Sequence, residues 1–283
     1  MLGLGSYISN SGASSDTSSG ALKYSLSLDG DDQYAYFPQD TLDTWNVASG
    51  NTHLSISLWY KMTDTGLNQA FIGKAVTSGN PNTFLFGQWA DQYFLGYYGT
   101  TAAWVKTGNG ANPETISVTY GAWRHVVLTL EDNGTYTTLK IYEPEANAST
   151  HVHTMTLAGR LSPIVFRGSS GSSVDDFDGD WNIGMENDGG PTASDFLDGF
   201  ITEIGFFDAV LDIDDAVAIY NSGNPLSLIS NSGNYDKAGN LKSYFKTNEG
   251  SGTTLTNEIE ISGTVTDATL SNTPTYSTDV PTS

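Results

Sequence analysis

Apolar and polar residues alternate over short segments along most of the chain. In WRHVVLTL, residues 123–130, the apolar residues Val126, Leu128 and Leu130 alternate with His125, Val127 and Thr129, which is the period of a β-strand with two different faces. EDNG then interrupts the run, and Asn-Gly is a strong hairpin signal because both residues accept positive φ. LKIYE resumes the alternation. The pattern predicts a β-hairpin here and makes His125 a strand residue rather than a catalytic one.

Similar segments follow each other along the chain, separated by turns such as Asp-Gly and Asn-Pro, and they predict an all-β sandwich or barrel. One helix is expected near residues 212–221. Asp212 is a candidate N-cap, and Asp215 follows it three residues later. Gly223 is a candidate C-cap, and Pro225 prevents the helix from continuing.

Composition divides the chain of 283 residues into four parts. Residues 1–20 are rich in serine and glycine, which predicts a flexible or docking arm. Residues 21–225 hold most of the predicted strands, and residues 226–240 are polar and typical of a linker. Residues 241–283 return to threonine-rich strands, which either complete the sandwich or anchor the protein.

The charge of the chain excludes two classes of partner. With 32 acidic and 11 basic residues, the formal net charge is −21, whereas a phosphate-binding surface needs clustered lysine and arginine. Nucleic acid is therefore excluded, and an anionic membrane would be repelled. No apolar run reaches the roughly 18 residues that a membrane-spanning helix needs. The absence of cysteine rules out disulfides and thiolate metal sites.

Several segments together resemble a known family. YSLSLDGDDQYAYFP resembles the opening strands of laminin-G-like jelly rolls, in the concanavalin A-like lectin/glucanase superfamily, and LSISLWYKM resembles their second signature strand. WRHVVLTL with LKIYEPEA resembles their Trp-x-His hairpin, although this chain reads Tyr142, Glu143, Pro144 where the family usually continues to Tyr-x-Asp-Gly. WNIGMENDGGPTASDFLDGFITEIGFFD resembles the closing block. The resemblance implies an all-β jelly-roll sandwich of two antiparallel sheets, with Trp59 and Trp123 buried between them.

The N-terminus MLGLG has neither the basic nor the apolar region of a secretion signal. Together with the acidity, it resembles virion proteins of marine tailed phages. That resemblance implies a non-enzymatic structural or adhesion protein, such as a capsid decoration, head fibre or tail component. Other virion proteins and cell-surface glycans are then the expected partners, oligomer formation stays open, and the expected location is the virion or otherwise the cytoplasm. A free carbohydrate-binding module is the alternative, and a glucanase-type glycoside hydrolase is a third.

The chain lacks the motif that would make it a glucanase. Retaining glucanases of the superfamily carry Glu-x-Asp-x-x-Glu, because retention needs two carboxyl groups about 5 to 5.5 Å apart. The closest segment here is NEIEISG, in which Glu258 and Glu260 share one strand face but the third acid is missing. These residues are predicted to be solvated glutamates of an amphipathic strand. We expect no catalytic residue and no enzymatic activity.

Carboxylates on turns make calcium the expected cofactor. The run VDDFDGDWNIGMEND lacks the glycine and the glutamate that an EF-hand requires, and it is predicted to be a solvated turn. The resemblance implies another calcium geometry, in which an early LDGDD turn meets the strand after the closing Phe-x-Gly. The candidate Ca²⁺ ligands are Asp29, Asp31, Asp32, Asp198 and Glu203.

Glycan binding needs aromatic faces beside polar groups, and GQWADQYFLGYYGTTAAWVK is the segment richest in both. Strand alternation is expected to turn about half of its aromatic residues toward the core. The glycan-binding candidates are Trp89, Tyr93, Tyr97, Tyr98 and Trp104.

Overall fold

The structure is a computed structural model that describes residues 21–37, 53–74, 84–98, 102–106, 117–132, 137–144, 150–156, 180–187, 193–261 and 264–282. In chain order its strands are β1 Ser25–Asp29, β2 Tyr34–Phe37, β3 His53–Met62, β4 Gln69–Lys74, β5 Phe84–Trp89, β6 Gln92–Tyr98, β7 Ala102–Lys106, β8 Arg124–Asp132, β9 Thr137–Pro144, β10 Thr150–Thr156, β11 Trp181–Ile183, β12 Glu186–Asn187, β13 Ala193–Ser194, β14 Asp198–Phe207, β15 Leu241–Phe245, β16 Thr254–Leu255, β17 Glu260–Ile261, β18 Thr264–Val265, β19 Ala268–Ser271 and β20 Thr275–Ser277. Within these ranges there is one α-helix, α1 Ile213–Tyr220, and there are 3-10 turns at Asn221–Gly223 and Ala238–Asn240.

Two antiparallel sheets, each built from eight of the described strands, form a sandwich. Sheet A has the order β10-β9-β8-β3-β14-β1-β20, and β15 also pairs with β14. Sheet B has the order β16-β19-β2-β11-β4-β5-β6-β7. Consecutive strands such as β1 and β2 lie in different sheets, as in a jelly roll. The predicted all-β jelly-roll sandwich with one short helix is confirmed.

The core between the sheets is formed by alternate residues of their strands. An aromatic cluster with no solvent exposure lies within it. Phe37 stacks on Trp181 with 6.3 Å between ring centroids, and Phe206 packs edge-on against these two rings at 5.7 and 5.6 Å. Because Phe37 and Trp181 belong to sheet B and Phe206 belongs to sheet A, this cluster joins the two layers.

The helix α1 begins where the sequence predicts. The Oδ1 atom of Asp212 accepts hydrogen bonds from the backbone N–H groups of Asp214 (2.9 Å) and Asp215 (3.0 Å). The carboxylate of Asp215 accepts the N–H of Asp212 at 3.1 Å in return, which completes a capping box. The helix ends differently, because Asn221 in the left-handed conformation is its C-cap instead of the predicted Gly223.

A second hydrophobic core lies on the outer face of sheet A, beneath α1. Ile219 of the helix belongs to a buried cluster with Phe207 of β14, and Leu228 and Tyr235 join the same cluster. The hydroxyl group of Tyr235 donates to the carbonyl of Leu228 at 2.7 Å. The segment 226–240, which looks like a linker in the sequence, is therefore packed into the fold.

The C-terminal segment contributes strands to both sheets. In sheet A, β15 pairs with β14 and β20 pairs with β1, whereas β19 pairs with β2 in sheet B. The last described residues are also tied to sheet A, since Asp279 accepts hydrogen bonds from Lys61 Nζ at 2.5 Å and from Trp123 Nε1 at 2.7 Å. Of the two predicted roles for this segment, the structure shows completion of the sandwich.

The prediction that Trp59 and Trp123 are buried between the sheets is wrong for both residues. Trp59 is only 2% exposed, but its ring lies on the outer face of sheet A and stacks on Tyr220 of α1 at 5.5 Å. Trp123 is half-buried and contacts Phe200 and Asp279. Alternation predicts which residues share a face, but it does not show that the outer face is also covered.

Candidate functional site

The outer face of sheet B carries a small apolar cluster with a tryptophan at its border. Ala70, Leu85 and Phe94 form this cluster, and each is at most 3% exposed. Trp89, the last residue of β5, packs against Phe94 with 5.0 Å between ring centroids. It is nevertheless 37% exposed. The arrangement presents part of a flat aromatic ring to solvent on a fixed apolar base.

The turn that follows Trp89 is held in place from two sides. Ala90 and Asp91 both have positive φ angles, 51° and 63°, as a two-residue hairpin turn of type I′ requires. The hydroxyl group of Tyr120 donates to Asp91 Oδ1 at 2.7 Å, and Asn68 Oδ1 accepts the N–H of Ala90 at 3.4 Å. These contacts fix the end of the hairpin and with it the position of the tryptophan.

Two acidic residues form the opposite border. The ribbon of β12 and β13 crosses β4 so closely that a Cβ atom on Gly73 would lie 2.5 Å from the carbonyl oxygen of Met185. Glu186 of this ribbon is 3% exposed. The carbonyl of Asp195 accepts the N–H of Ala70 at 2.8 Å, which fastens the end of the ribbon to the sheet.

Trp89, Phe94, Glu186 and Asp195 line one shallow depression, with an empty volume of about 170 Å³. This space is open to solvent and encloses no room for even a water molecule, so a ligand ring would lie on its surface instead of inside it. A sugar ring has an apolar C–H face that suits an aromatic side chain and hydroxyl groups that donate to carboxylates. Trp89 offers the aromatic face, and Asp195 borders the same depression.

Of the five predicted glycan residues, the structure places Trp89 at this depression. The prediction for Tyr93 is wrong, because its side chain has no solvent exposure and its hydroxyl group lies 2.6 Å from that of Tyr60 in the core. Burial raises the pKa of Tyr93 well above its usual value. Tyr97 and Tyr98 belong to β6 and Trp104 to β7, and their side chains lie outside the described part of the structure.

The aspartates of the early turn meet Asp198 at one edge of sheet A. Asp29 of β1 is the register partner of Asp198 of β14. Asp29 Oδ1 accepts the backbone N–H groups of Asp31 at 3.1 Å and Asp32 at 3.4 Å, so this carboxylate stabilises its own turn. Calcium at this edge stays a prediction, which thermal unfolding with and without chelator would test on the wild type and Asp198→Asn.

The structure does not bring Glu203 to that edge. Glu203 lies further along β14, at a bulge where its φ angle is 53°, and it is 7% exposed. Its carboxylate accepts a hydrogen bond from the hydroxyl group of Tyr244. Burial raises the pKa of Glu203 to about 7, although the Tyr244 hydrogen bond and Lys246 act in the opposite direction. No three His, Asp or Glu side chains among the described residues are grouped so that they could hold a metal ion.

His125 is a buried structural residue, as the strand pattern predicts. Its Nε2 atom lies 2.9 Å from Ser57 Oγ, and its ring packs 5.1 Å from that of Trp59. Burial lowers the pKa of His125 to about 3, so the ring is neutral at pH 7. Glu258 and Glu260 are exposed, as predicted for solvated glutamates.

No motif in the sequence marks Glu186 and Asp195 as residues that line the depression. They lie far from Trp89 along the chain, and only the crossing of the ribbon over β4 brings them to the depression.

The acidic run VDDFDGDWNIGMEND is predicted to be a solvated turn. Three of its aspartates, Asp175, Asp176 and Asp178, lie outside the described residues.

Comparison with known proteins finds similarity at the level of three-dimensional structure. No protein-family model and no curated protein matches the sequence. A heptameric SAP-like pentraxin from Limulus polyphemus matches 70% of this chain and 82% of its own, with 13% identity and a TM-score of 0.41. The CBM40 domain of Ruminococcus gnavus IT-sialidase, solved with alpha2,3 sialyllactose, matches 71% and 98%, with 12% identity and a TM-score of 0.46. The botulinum neurotoxin serotype C1 binding domain matches 70% and 47%, with 15% identity and a TM-score of 0.40.

Across the described residues, no helix has both the length and the apolar character needed to cross a membrane.

Proposed function

We propose that this protein is a non-enzymatic glycan-binding protein and that the depression beside Trp89 is its binding site. One observation carries the proposal: Trp89 is 37% exposed at the border of a shallow depression that polar residues also line. The Trp89 ring is packed against Phe94 and is also partly exposed. Because packing already restricts such a ring, it loses little conformational freedom when a ligand binds. Stacking of a sugar ring on Trp89 would supply affinity, and polar residues of the lining would orient its hydroxyl groups.

The position of the closest sequence match to a glucanase strand favours binding without turnover. Glu258 and Glu260, the closest sequence match to a glucanase strand, are exposed and lie apart from the depression. Glu258 instead approaches Lys246 at 3.5 Å. We expect purified protein to release no reducing sugar from β-glucans, alginate or agar. Turnover that disappears in Glu260→Gln, or in Glu186→Gln at the depression, would contradict this part of the proposal.

Substitution of Trp89 tests the binding site directly. On an array of immobilised glycans, Trp89→Ala should weaken every bound signal at least about tenfold, which corresponds to about 1.4 kcal/mol. Trp89→Tyr should keep most of the signal because it retains an aromatic face. Ile213→Ala is the matched control, since Ile213 is an exposed apolar residue, 43% exposed, on α1.

Two results would contradict the proposed site. One is glycan binding that Trp89→Ala leaves unchanged, and the other is an equal loss in Ile213→Ala. Unfolding curves of the three variants must agree with the wild type within about 0.5 kcal/mol, the usual range for surface substitutions. That agreement would assign any loss of binding to the site instead of the fold.

Display on a virus particle is the second part of the proposal. Its support is the sequence: a serine- and glycine-rich arm, residues 1–20, precedes the first described strand. Deletion of residues 1–20 should abolish incorporation into particles and leave glycan binding unchanged. Mass spectrometry of purified particles measures the first effect. Particles that never contain the chain would favour the alternative, a free carbohydrate-binding module.

A further inference from the structure

We propose that two copies of this protein exchange the ends of their chains. The exchangeable segment, residues 275–282, comprises β20 and the described residues that follow it. In the exchange it leaves β1 of its own chain and binds the same place on β1 of a second copy, which returns its own segment. The partner is therefore a second copy of this chain, and the inference does not depend on the proposed glycan function.

The contacts that hold the exchangeable segment connect it to distant parts of the chain. The carboxylate of Asp279 accepts hydrogen bonds from Lys61 Nζ at 2.5 Å and from Trp123 Nε1 at 2.7 Å. The carbonyl of Asp279 accepts the hydroxyl group of Ser25 at 2.7 Å. A second copy offers the same partners in the same geometry. Exchange therefore keeps these contacts and costs chiefly the freedom that two copies lose when they associate.

The hinge, residues 272–274, forms a turn that its own residues disfavour. It carries the chain from β19 in sheet B to β20 in sheet A, and the φ angles of Asn272 and Thr273 are 57° and 59°. Positive φ is uncommon outside glycine and is a genuine outlier for a β-branched residue such as threonine. Pro274 adds to the conflict, because a proline ring pushes the residue before it toward extended backbone.

Exchange removes this conflict. In the swapped dimer the hinge runs straight from one copy to the other, so Thr273 takes the extended conformation that Pro274 favours, and short hinges under strain are the ones that invite exchange. Two hydrogen bonds of the turn are lost, one from Asn272 Nδ2 to the carbonyl of Asp32 at 2.8 Å and one from Gln33 Nε2 to the carbonyl of Thr273 at 3.5 Å. Both are exposed, so water replaces them at little cost.

The strand β1 needs a partner on the side that the segment leaves. Its other side is occupied by β14, and an unpaired strand edge is a template for another strand. An extended hinge of three residues spans about 10 Å, so the two copies meet with these edges close together. The net charge of −21 on each copy opposes this approach, which makes the exchange sensitive to salt.

The test traps the exchange with a disulfide. The chain has no cysteine, so Ser27→Cys/Thr275→Cys introduces a single pair of thiols. Ser27 and Thr275 are register partners across β1 and β20, and such partners lie about 4.5 to 5.5 Å apart, within the separation that a disulfide bridges. The full chain is unfolded in urea, refolded at about 1 µM to about 1 mM and oxidised. On a denaturing gel without reductant, closed chains run as monomers and swapped chains run as covalent dimers.

The fraction of covalent dimer should rise with the protein concentration during refolding. It should also rise with sodium chloride, because salt screens the repulsion between the two copies. Glu131→Cys/Thr138→Cys is the matched control. Glu131 and Thr138 are register partners within the hairpin of β8 and β9, which stays in one chain in either form, so this variant should run as a monomer at every concentration.

A hinge variant tests the cause of the exchange. Thr273→Gly adopts positive φ without a steric cost, so it should favour the closed monomer. Because each dimer has two hinges, its dissociation constant should rise at least about tenfold, which corresponds to about 1.4 kcal/mol. Light scattering after gel filtration measures this constant on the chain without cysteines. Ser222→Gly is the control, since Ser222 is exposed, has a φ angle of 57° and lies outside the hinge; it should change the constant by about twofold or less.

Covalent dimers that increase with concentration, together with weaker dimers in Thr273→Gly, support the exchange. Monomers alone at the highest concentration overturn it. Dimers in light scattering whose cysteine pairs are closed within each chain also overturn it, because the copies then associate through another surface. Equal dissociation constants for Thr273→Gly and the wild type overturn the role of the hinge. None of these measurements involves a glycan, so the proposed function is tested separately.

Discussion

The two sheets use their outer faces in opposite ways. The outer face of sheet A is covered by α1 and by the segment 226–240, and Trp59 on that face is 2% exposed. The outer face of sheet B is open beside Trp89, which is 37% exposed. Both tryptophans lie in short alternating strands and look alike in the sequence. What the rest of the chain places over a face decides whether its aromatic residue is buried in the fold or stays open to solvent.

The largest expected effect separates these two tryptophans. Trp59→Ala should lower the free energy of unfolding by about 3 to 5 kcal/mol, because it leaves a cavity between sheet A and Tyr220. Trp89→Ala should lower it by about 0.5 kcal/mol or less, since the ring is already partly solvated. Urea unfolding of both variants measures the difference. Equal losses would mean that the contrast between the covered and the open face is wrong.

A second effect, specific to the covered face, depends on pH. Glu203 has a pKa of about 7 in the folded protein, against an ordinary value of 4.5, chiefly because it is buried. The folded state holds this proton more tightly, so the resulting stability is complete below pH 4.5 and is lost as pH rises to about 7. The loss amounts to about 3 kcal/mol at most. Glu203→Gln should remove this slope when unfolding is measured from pH 4.5 to 8.

Tyr244→Phe provides the matched variant for this measurement. It keeps the buried carboxyl group but removes the hydrogen bond that favours its ionised form. The upper limit of the pH-dependent window should therefore move above pH 7. An identical slope in the wild type and in Glu203→Gln would show that another group causes the pH dependence.

The smallest effect is expected at the border of sheet A. The residues there are neither fully covered, as Trp59 is, nor on an open face, as Trp89 is. Trp123 is half-buried, and Asp279 joins it to Lys61. Asp279→Asn should lower the free energy of unfolding by about 1 kcal/mol or less, since exposed ion pairs contribute little. Trp123→Ala should cost less than Trp59→Ala. A loss above 3 kcal/mol for Asp279→Asn would show that this contact holds the C-terminal strands in place.

Much of the fold was predictable because its signals are local. Alternation identified the strands, and the pair Asp212 and Asp215 marked the start of α1. The segment 226–240 looked like a linker because it is polar, yet Leu228 and Tyr235 are buried by residues distant in sequence. The residue pattern could not predict that Asn221, rather than Gly223, is the C-cap of α1. Asparagine and glycine both accept the left-handed conformation that a C-cap needs.

The candidate site was predictable only in part. The segment rich in aromatic residues includes Trp89, but the same pattern also proposed Tyr93, whose ring lies in the core. Alternation divides strand residues into two sets without showing which set faces inward. Glu186 and Asp195 reach the depression through a ribbon that crosses another strand, and no short-range pattern encodes that crossing.

The pairing of β1 has a consequence for how the protein is made. Its two neighbours are β14 and β20, and Ser25 is the register partner of Ser277. During synthesis the first strand leaves the ribosome long before either neighbour exists, and its unpaired edges invite association with other chains. Contacts between residues so distant in sequence also make folding slow. The strand β1 therefore gains its second neighbour only after translation has passed Ser277, and crowded, rapid expression should favour aggregates over folded protein.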